Sequence, residues 1–288
     1  MYIFFGLITL WVIFDISRGY RKASNKRKYL VKTFSVAGII TLIFFLFGPF
    51  FMISPIKLGY STLSDDSITL YYPSSHTTRA EEIFTMAKQA TEKNDAFYQA
   101  STHTKILIAT SDLDMLRFGV YPQGNGGGLI WGIVIRESKA SWNIIAHEMS
   151  HKNLSKLSPL GSSVFSFPRW FDEGIASYIG DMNYYKTLPE LKEDLLSGLY
   201  RRDITTWRGI SGMFTWLKFT FIKPNPRLIY GQTFLMTKFL ADTYGENRIN
   251  QLVQAVGQRT SFETAFLQVF GISADEYHQQ FIDFLQKS

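Results

Sequence analysis

No cysteine occurs in the chain. That absence removes disulfides, thiol nucleophiles and Cys-ligated zinc together, and leaves histidine, aspartate and glutamate as the metal-ligating residue types. Histidine is itself scarce, with five in 288 residues. Charge is sparse at 19% against a hydrophobic fraction of 46%, and the apolar excess sits in the first 55 residues. No internal repeat and no low-complexity tract stands out. The length suffices for one large domain or two small ones with an ample core.

The formal charge of +6 raises the question of an acidic partner, and its location answers it. Within residues 1–54, Arg18, Arg21, Lys22, Lys26, Arg27, Lys28 and Lys32 stand against Asp15 alone, so the remainder of the chain is neutral overall. The basic balance belongs to this N-terminal region and argues against a nucleic-acid partner.

Thr33 to Ile53, TFSVAGIITLIFFLFGPFFMI, is an uncharged run of 21 residues, close to the roughly 20 that cross a bilayer core. It is expected to form a transmembrane helix. The opening run MYIFFGLITLWVIF has 14 residues before Asp15, so it either crosses a thinned bilayer or lies in the interface. Between the two runs lies a short basic loop, which the positive-inside rule assigns to the cytoplasm, leaving everything after Ser54 outside. The basic block follows the first apolar run instead of preceding it, which argues against a cleaved signal peptide. Residues 1–54 are therefore expected to be a lipid-contacting membrane anchor, and residues 55–288 an extracytoplasmic domain.

That domain reads as α+β, a small mixed α/β lobe followed by a mostly helical lobe. Strand patterns cover Ser67 to Tyr72, Thr104 to Thr110 and Gly127 to Ile135, with a helix between the first two. Helices are expected at Pro168–Gly180, Leu188–Tyr200, Gly231–Tyr244, Glu246–Val256, Ser261–Phe270 and Ala274–Gln286, several ending on glycine. The aromatic stretch Met213 to Ile222 suits core packing, the wall of a cleft or a membrane contact. His76, His103 and His278 have no partner at metal spacing and read as ordinary polar residues.

The chemistry concentrates in NIIAHEMSHKNL, Asn143 to Leu154. On a helix, residues four apart share a face, so His147 and His151 can present both imidazoles to one ion while Glu148 points alongside. Two histidines without a metal are the plain alternative. A zinc ion held in this way needs one more protein ligand and an open position for water. In PRWFDEGIASYIG, Glu173 lies in the early turns of a helix whose apolar face is Trp170, Phe171, Ile175 and Ile179. Taken alone, Asp172 and Glu173 suit the helix dipole. Taken with HEMSH, Glu173 is the better ligand candidate, because a carboxylate buried on such a helix is costly unless paired or bound to metal.

HEMSH followed by WFDEGIASY resembles the gluzincin metallopeptidases, and the residues around Glu173 are similar to the W-x-N-E-G pattern of the membrane alanyl aminopeptidases and their smaller peptidase MA-like relatives. The tail, IYGQTFLMTKFLADTYGENRINQLVQA and FETAFLQVFGISADEYHQQF, is similar to the helical tail of those relatives, so the resemblance runs from Thr104 to the end. It implies a thermolysin-like zincin fold and Zn2+ bound by His147, His151 and Glu173. Glu148 would be the general base, and Tyr230 the residue that steadies the developing oxyanion. Two departures qualify it. The strand reading GGLIWGIVI lacks the glutamate with which the aminopeptidases hold a free amine, which favours an endopeptidase. Its Gly127, Gly128, Leu129 and Ile130 either pair with an extended peptide substrate or form a Gly-rich hairpin beside the site. The thermolysin-like pattern also places an aspartate four residues after the zinc-binding glutamate. Here that position is Ser177, a weaker partner for a ligand histidine.

The expectation is a membrane-anchored zinc metallopeptidase acting on peptide or protein substrates. Two competing classes share its residues: a non-catalytic binding or sensing module that keeps the fold, and a zinc hydrolase of a non-peptide amide. The sequence is silent on oligomeric state.

Overall fold

The computed structural model describes residues 16–287 apart from Pro49, Ile130, Leu160, Tyr184, Lys223 and Pro224. The opening apolar run, residues 1–14, lies outside the described residues. Helix α1, Lys26–Phe47, is capped by Asn25, whose side chain accepts from the Lys28 amide at 2.9 Å. It is long and apolar enough to cross a membrane, and none of it is buried in the protein.

Five strands form one mixed sheet: β1 Tyr60–Ser64, β2 Ile68–Pro73, β3 Thr104–Ala109, β4 Gly126–Leu129 and β5 Gly132–Arg136. Their order is β1-β2-β3-β5-β4, with β2, β3 and β5 parallel and the two outer strands antiparallel to their neighbours. Helix α2, Thr77–Tyr98, makes the crossover between β2 and β3. Helices α3 Trp142–Leu157, α4 Arg169–Ile179, α5 Leu188–Leu196, α6 Gly209–Leu217, α7 Pro226–Tyr244, α8 Glu246–Gly257, α9 Phe262–Phe270 and α10 Ala274–Lys287 follow the sheet. The α+β reading, strands first and helices after, therefore holds.

The sheet buries apolar side chains on both faces, as near-continuous apolar strands require. Ile106, Ile108, Ile133 and Ile135 turn into the main core shared with the helices. Leu107, Ala109 and Val134 turn the other way, into a second cluster closed by Phe51, Met52, Met115, Phe118 and Val120. Two expectations are corrected here. The apolar run expected to span from Thr33 to Ile53 is divided, because α1 stops at Phe47 and Phe51 and Met52 pack on the outer sheet face. The folded domain thus starts before residue 55. The single strand expected at Gly127–Ile135 is the hairpin β4–β5, turning between Leu129 and Gly132. Glycine at 132 is needed there, since a Cβ would strike the Lys105 carbonyl and Met52 Sδ.

Helix α3 is fixed against α2 by a buried polar seam. Asn94 donates to the Ala146 carbonyl at 3.1 Å, the Tyr98 hydroxyl meets Ser150 Oγ at 2.7 Å, and Thr102 donates to Asn153 Oδ1 at 2.6 Å. Elsewhere the histidines read as ordinary polar residues keep local partners: His76 meets Glu137 at 2.7 Å, His103 meets Thr69 at 2.9 Å and His278 meets the Tyr200 hydroxyl at 2.8 Å.

Burial pushes the His278 imidazole down to about 4. The unfolded chain, with a histidine near 6.5, then binds this proton more tightly than the folded one. Stability from this group is complete above pH 6.5 and is lost as pH falls toward 4, by up to about 3 kcal/mol. Urea titrations of the wild type and His278→Gln across that window should show a shallower pH dependence in the variant. Parallel profiles would rule the group out.

Candidate metal centre

Helix α3 begins at Ser141, whose hydroxyl accepts from the Ile144 amide at 3.4 Å. This start sets the phase that brings His147 and His151 to one face. Helix α4 begins behind Pro168 and carries Trp170, Phe171, Ile175 and Ile179 into the core. Glu173 is drawn in beside them, and α4 packs across α3 so that its carboxylate reaches both imidazoles.

The three expected ligand atoms form a nearly equilateral triangle. His147 Nε2 and His151 Nε2 are 3.1 Å apart, and Glu173 Oε2 lies 3.6 Å from the first and 3.3 Å from the second. All three residues are largely withdrawn from solvent. A tetrahedral zinc with bonds of about 2.0–2.1 Å keeps its ligands about 3.3 Å apart, so the triangle has the size such an ion needs. Glu173 Oε2 makes no hydrogen bond of proper geometry, and His147 Nδ1 has no partner among the described residues. A buried carboxylate oxygen facing two imidazole nitrogens at these distances fits a cation held among the three.

The charges agree. Arg169 donates to Asp172 Oδ2 at 2.6 Å and to Glu173 Oε1, and lies 5.6 Å over the Trp216 ring. One guanidinium thus answers two buried carboxylates, and one negative charge is left over. Without an ion a proton takes up that excess. Burial opposes a charge on His151, but Glu173 and Asp172 outweigh it and hold the imidazole well above its usual value. Burial likewise works against the Glu173 anion, yet His151 and Arg169 keep its carboxyl well below the usual range.

The partner of His151 is not Ser177. The Ser177 side chain is buried with its Oγ unbonded, and Asp172 Oδ1 instead meets His151 Nδ1 at 2.7 Å. Asp172 is steadied in turn by Ser163 Oγ at 2.9 Å and by Arg169. Ser177, one turn beyond Glu173, shares that residue's face of α4, but its short hydroxyl makes no hydrogen bond there, and the longer Asp172 carboxylate on the flanking face is the one that reaches His151. Arg169, Asp172 and Ser163 were missed from sequence, although Arg169 lies three and four residues before the two acids and could signal a shared face. Asp172→Asn keeps the shape but removes the charge. Metal affinity should fall about 10- to 100-fold, read by competition with a chelator. An unchanged affinity would show that Asp172 does not tune His151.

Glu148 is half-buried and makes none of these contacts. Burial raises its carboxyl pKa against the opposing pull of His147 and His151. Beside it runs β4, the free edge of the sheet: a Cβ on Gly126 would lie 3.0 Å from Glu148 Cγ, and one on Gly128 would lie 3.9 Å from His151 Cβ. Of the expected substrate strand, Gly128 faces the site, Gly127 faces Val120 on the other side, and Leu129 ends the strand. Ile130 lies outside the described residues. Gly126, not foreseen, belongs with Gly128.

Tyr230 is at the site as expected. Its ring lies edge-on to His147 at 6.2 Å, stacked on Tyr185 at 5.1 Å and against Trp216 at 5.2 Å. Burial, with Glu173, drives its hydroxyl well above the usual value, so it stays protonated. The aromatic stretch from Met213 thus contributes a wall through Trp216. A cavity of about 550 Å³ lies elsewhere, lined by Phe165, Phe167, Arg208 and Arg259 among others, and includes none of the site residues. The chain matches no protein-family model and no curated protein, so its chemistry rests on these residues.

Proposed function

We propose that this chain is a membrane-anchored zinc metallopeptidase of gluzincin type, with a thermolysin-like catalytic domain on the extracytoplasmic face, acting as an endopeptidase. The observation that carries the reading is the buried His147–His151–Glu173 triangle with Glu148 left unpaired beside it. A binding module would need the ligands but not a free carboxylate with a raised pKa at their side. Zinc, when bound, would polarise the scissile carbonyl and acidify a water toward pH 7. Glu148 would take the proton from that water and pass it to the leaving amine. Tyr230, kept protonated, would donate to the oxyanion. The free edge of β4 would hold an extended substrate by backbone hydrogen bonds, and its glycines would let that chain come close. The anchor reading rests on the apolar length of α1 and on the basic residues before it and in its first two turns, which the positive-inside rule assigns to the cytoplasm.

Elemental analysis of the purified chain should find a single zinc, lost in His147→Ala and in Glu173→Ala. If the wild type takes up no zinc when supplied with it, the peptidase reading falls and the binding-module reading takes its place.

A further inference from the structure

We infer that the metal site works at the membrane surface, on polypeptides that are themselves membrane-anchored and are cut close to where they leave the bilayer. The inference rests on the peptidase and anchor readings above and names the substrate class of that site.

The first observation is the junction between α1 and the domain. It is built as a clamp, not a tether. Only three residues separate the end of α1 at Phe47 from the buried Phe51, a reach of at most about 13 Å. Phe51 packs against Tyr60 at 5.0 Å and Phe118 at 5.6 Å. Lys57 folds back over this turn, donating to the Phe51 and Met52 carbonyls at 2.9 and 3.3 Å, with its ammonium 4.6 Å over the Tyr71 ring. The domain therefore sits directly on the end of α1.

The second observation is where that clamp bites. Phe50 meets Trp131 at 5.9 Å, and Met52 Sδ occupies the space a side chain at Gly132 would need. Trp131 lies in the turn of the β4–β5 hairpin, and Gly132 is the first residue of β5 after it. The strand leading into this turn is β4, the one beside Glu148 and His151. From Gly128, opposite His151, to Trp131 is three residues, at most about 10 Å. A separate contact puts the site at the same end of the sheet. Lys152, next to His151, donates to the His103 carbonyl at 2.7 Å and to Thr104 Oγ1 at 2.9 Å, where β3 starts. Strand β3 runs parallel to β5 with Ile106 opposite Ile133, so its start is level with the hairpin turn.

The third observation is the surface around the junction. Ile53, Ile56 and Leu58 follow α1 directly and are 39%, 51% and 49% exposed. Apolar side chains this close to the end of a span lie at the level of the lipid headgroups. A substrate paired along β4 is thus led past the turn into that layer. Free peptides reach the same edge, but a polypeptide anchored in the same bilayer presents its first extramembrane residues there at high effective concentration.

Two measurements on the full chain in phosphatidylcholine vesicles test this. Because the chain lacks cysteine, Ile56→Cys and, far from the clamp on α9, Leu267→Cys can each carry one nitroxide. The label at 56 should sit at headgroup depth by its accessibility to oxygen against an aqueous relaxant, and the label at 267 in water. Equal, fully aqueous labels would overturn the placement. In the second, a quenched peptide is offered free, or on a lipid-anchored stem of about three residues (~10 Å) or about 30 residues (~100 Å). The short stem should be cut at least about tenfold faster than the long one. Inserting about ten Gly and Ser residues between Gly48 and Pro49 should remove that preference and leave the free peptide's rate unchanged. Equal cutting of both stems, with the free peptide still cut, would overturn the substrate assignment alone. A zinc-loaded chain that cuts nothing would overturn the peptidase reading and the assignment with it, while the label depths still decide the placement.

Discussion

Glu148→Gln is expected to lower peptide hydrolysis by roughly 10²- to 10⁴-fold while zinc content stays at the wild-type level. The size of the effect follows from what the carboxylate does in the proposed reaction. It makes no hydrogen bond or ion pair with either imidazole or with Arg169, so the amide that replaces it keeps the shape of the ligand triangle. What disappears is the basic oxygen beside the attacking water. Its environment suits the task, since burial moves the carboxyl upward from its ordinary range, toward the pH at which a base both holds and releases a proton. Paired assays of zinc content and kcat/KM separate the outcomes. Zinc lost together with activity would make Glu148 part of the ion's cradle, and activity kept would place the base elsewhere.

Gly174→Ala should damage the candidate metal centre although it adds a single methyl. A Cβ at 174 would run into Thr237 Oγ1 and lie 2.7 Å from the Thr233 carbonyl oxygen, both on α7. Alanine normally stabilises a helix interior over glycine by about 1 kcal/mol, but here the obstacles are a β-branched side chain and a backbone carbonyl, and the second cannot swivel aside. Overpacking of this kind costs about 1–3 kcal/mol. The net should lie between neutral and about 2 kcal/mol destabilising, a fall in Tm of up to roughly 8 °C for a domain of this size. The function should suffer more than the fold. Residue 173 is the next in the chain, so α4 cannot shift from α7 without moving the Glu173 carboxylate against α3. Zinc affinity should therefore drop along with Tm. Adding Thr237→Ala removes one of the two obstructing atoms and should return part of both. A variant more stable than wild type would mean the helices have room that the structure denies them.

The candidate ligand set was legible because it is written in local spacing. Four residues from His147 to His151 fix a shared helix face before any tertiary structure exists, and Glu173 stands out as a carboxylate among Trp170, Phe171 and Ile175. The partner of His151 was not legible in the same way. Whether Asp172 or Ser177 reaches His151 depends on how α4 is rolled against α3, and that roll is set by Gly174 meeting α7, which lies more than fifty residues later. The hairpin was legible only as one of two alternatives, for a similar reason. GGLIWGIVI has the composition of one long strand, and only the packing of Met52 against Gly132 shows why the chain must turn there. The division of the apolar run is partly non-local: Gly48-Pro49 marks a break in TFSVAGIITLIFFLFGPFFMI, but nothing in it shows that Phe51 and Met52 pack on a sheet that begins later. Strand β1 has too little apolar alternation to be read without its neighbour.

The polar seam between α2 and α3 has one further consequence. Asn94, Tyr98 and Thr102 hold α3 from behind, through Ala146, Ser150 and Asn153, none of which faces the ligands. Sliding the helix by one residue or rolling it would break every one of these bonds in a buried setting, at about 1–3 kcal/mol for each group left unsatisfied. The imidazoles are thus presented by the scaffold and do not wait for an ion to gather them. In small zinc domains the metal and the fold stand or fall together. Here cargo and container are separable: a chelator should strip the centre as a local exchange, leaving a folded chain that can be refilled, with a different divalent ion if that is what the medium offers.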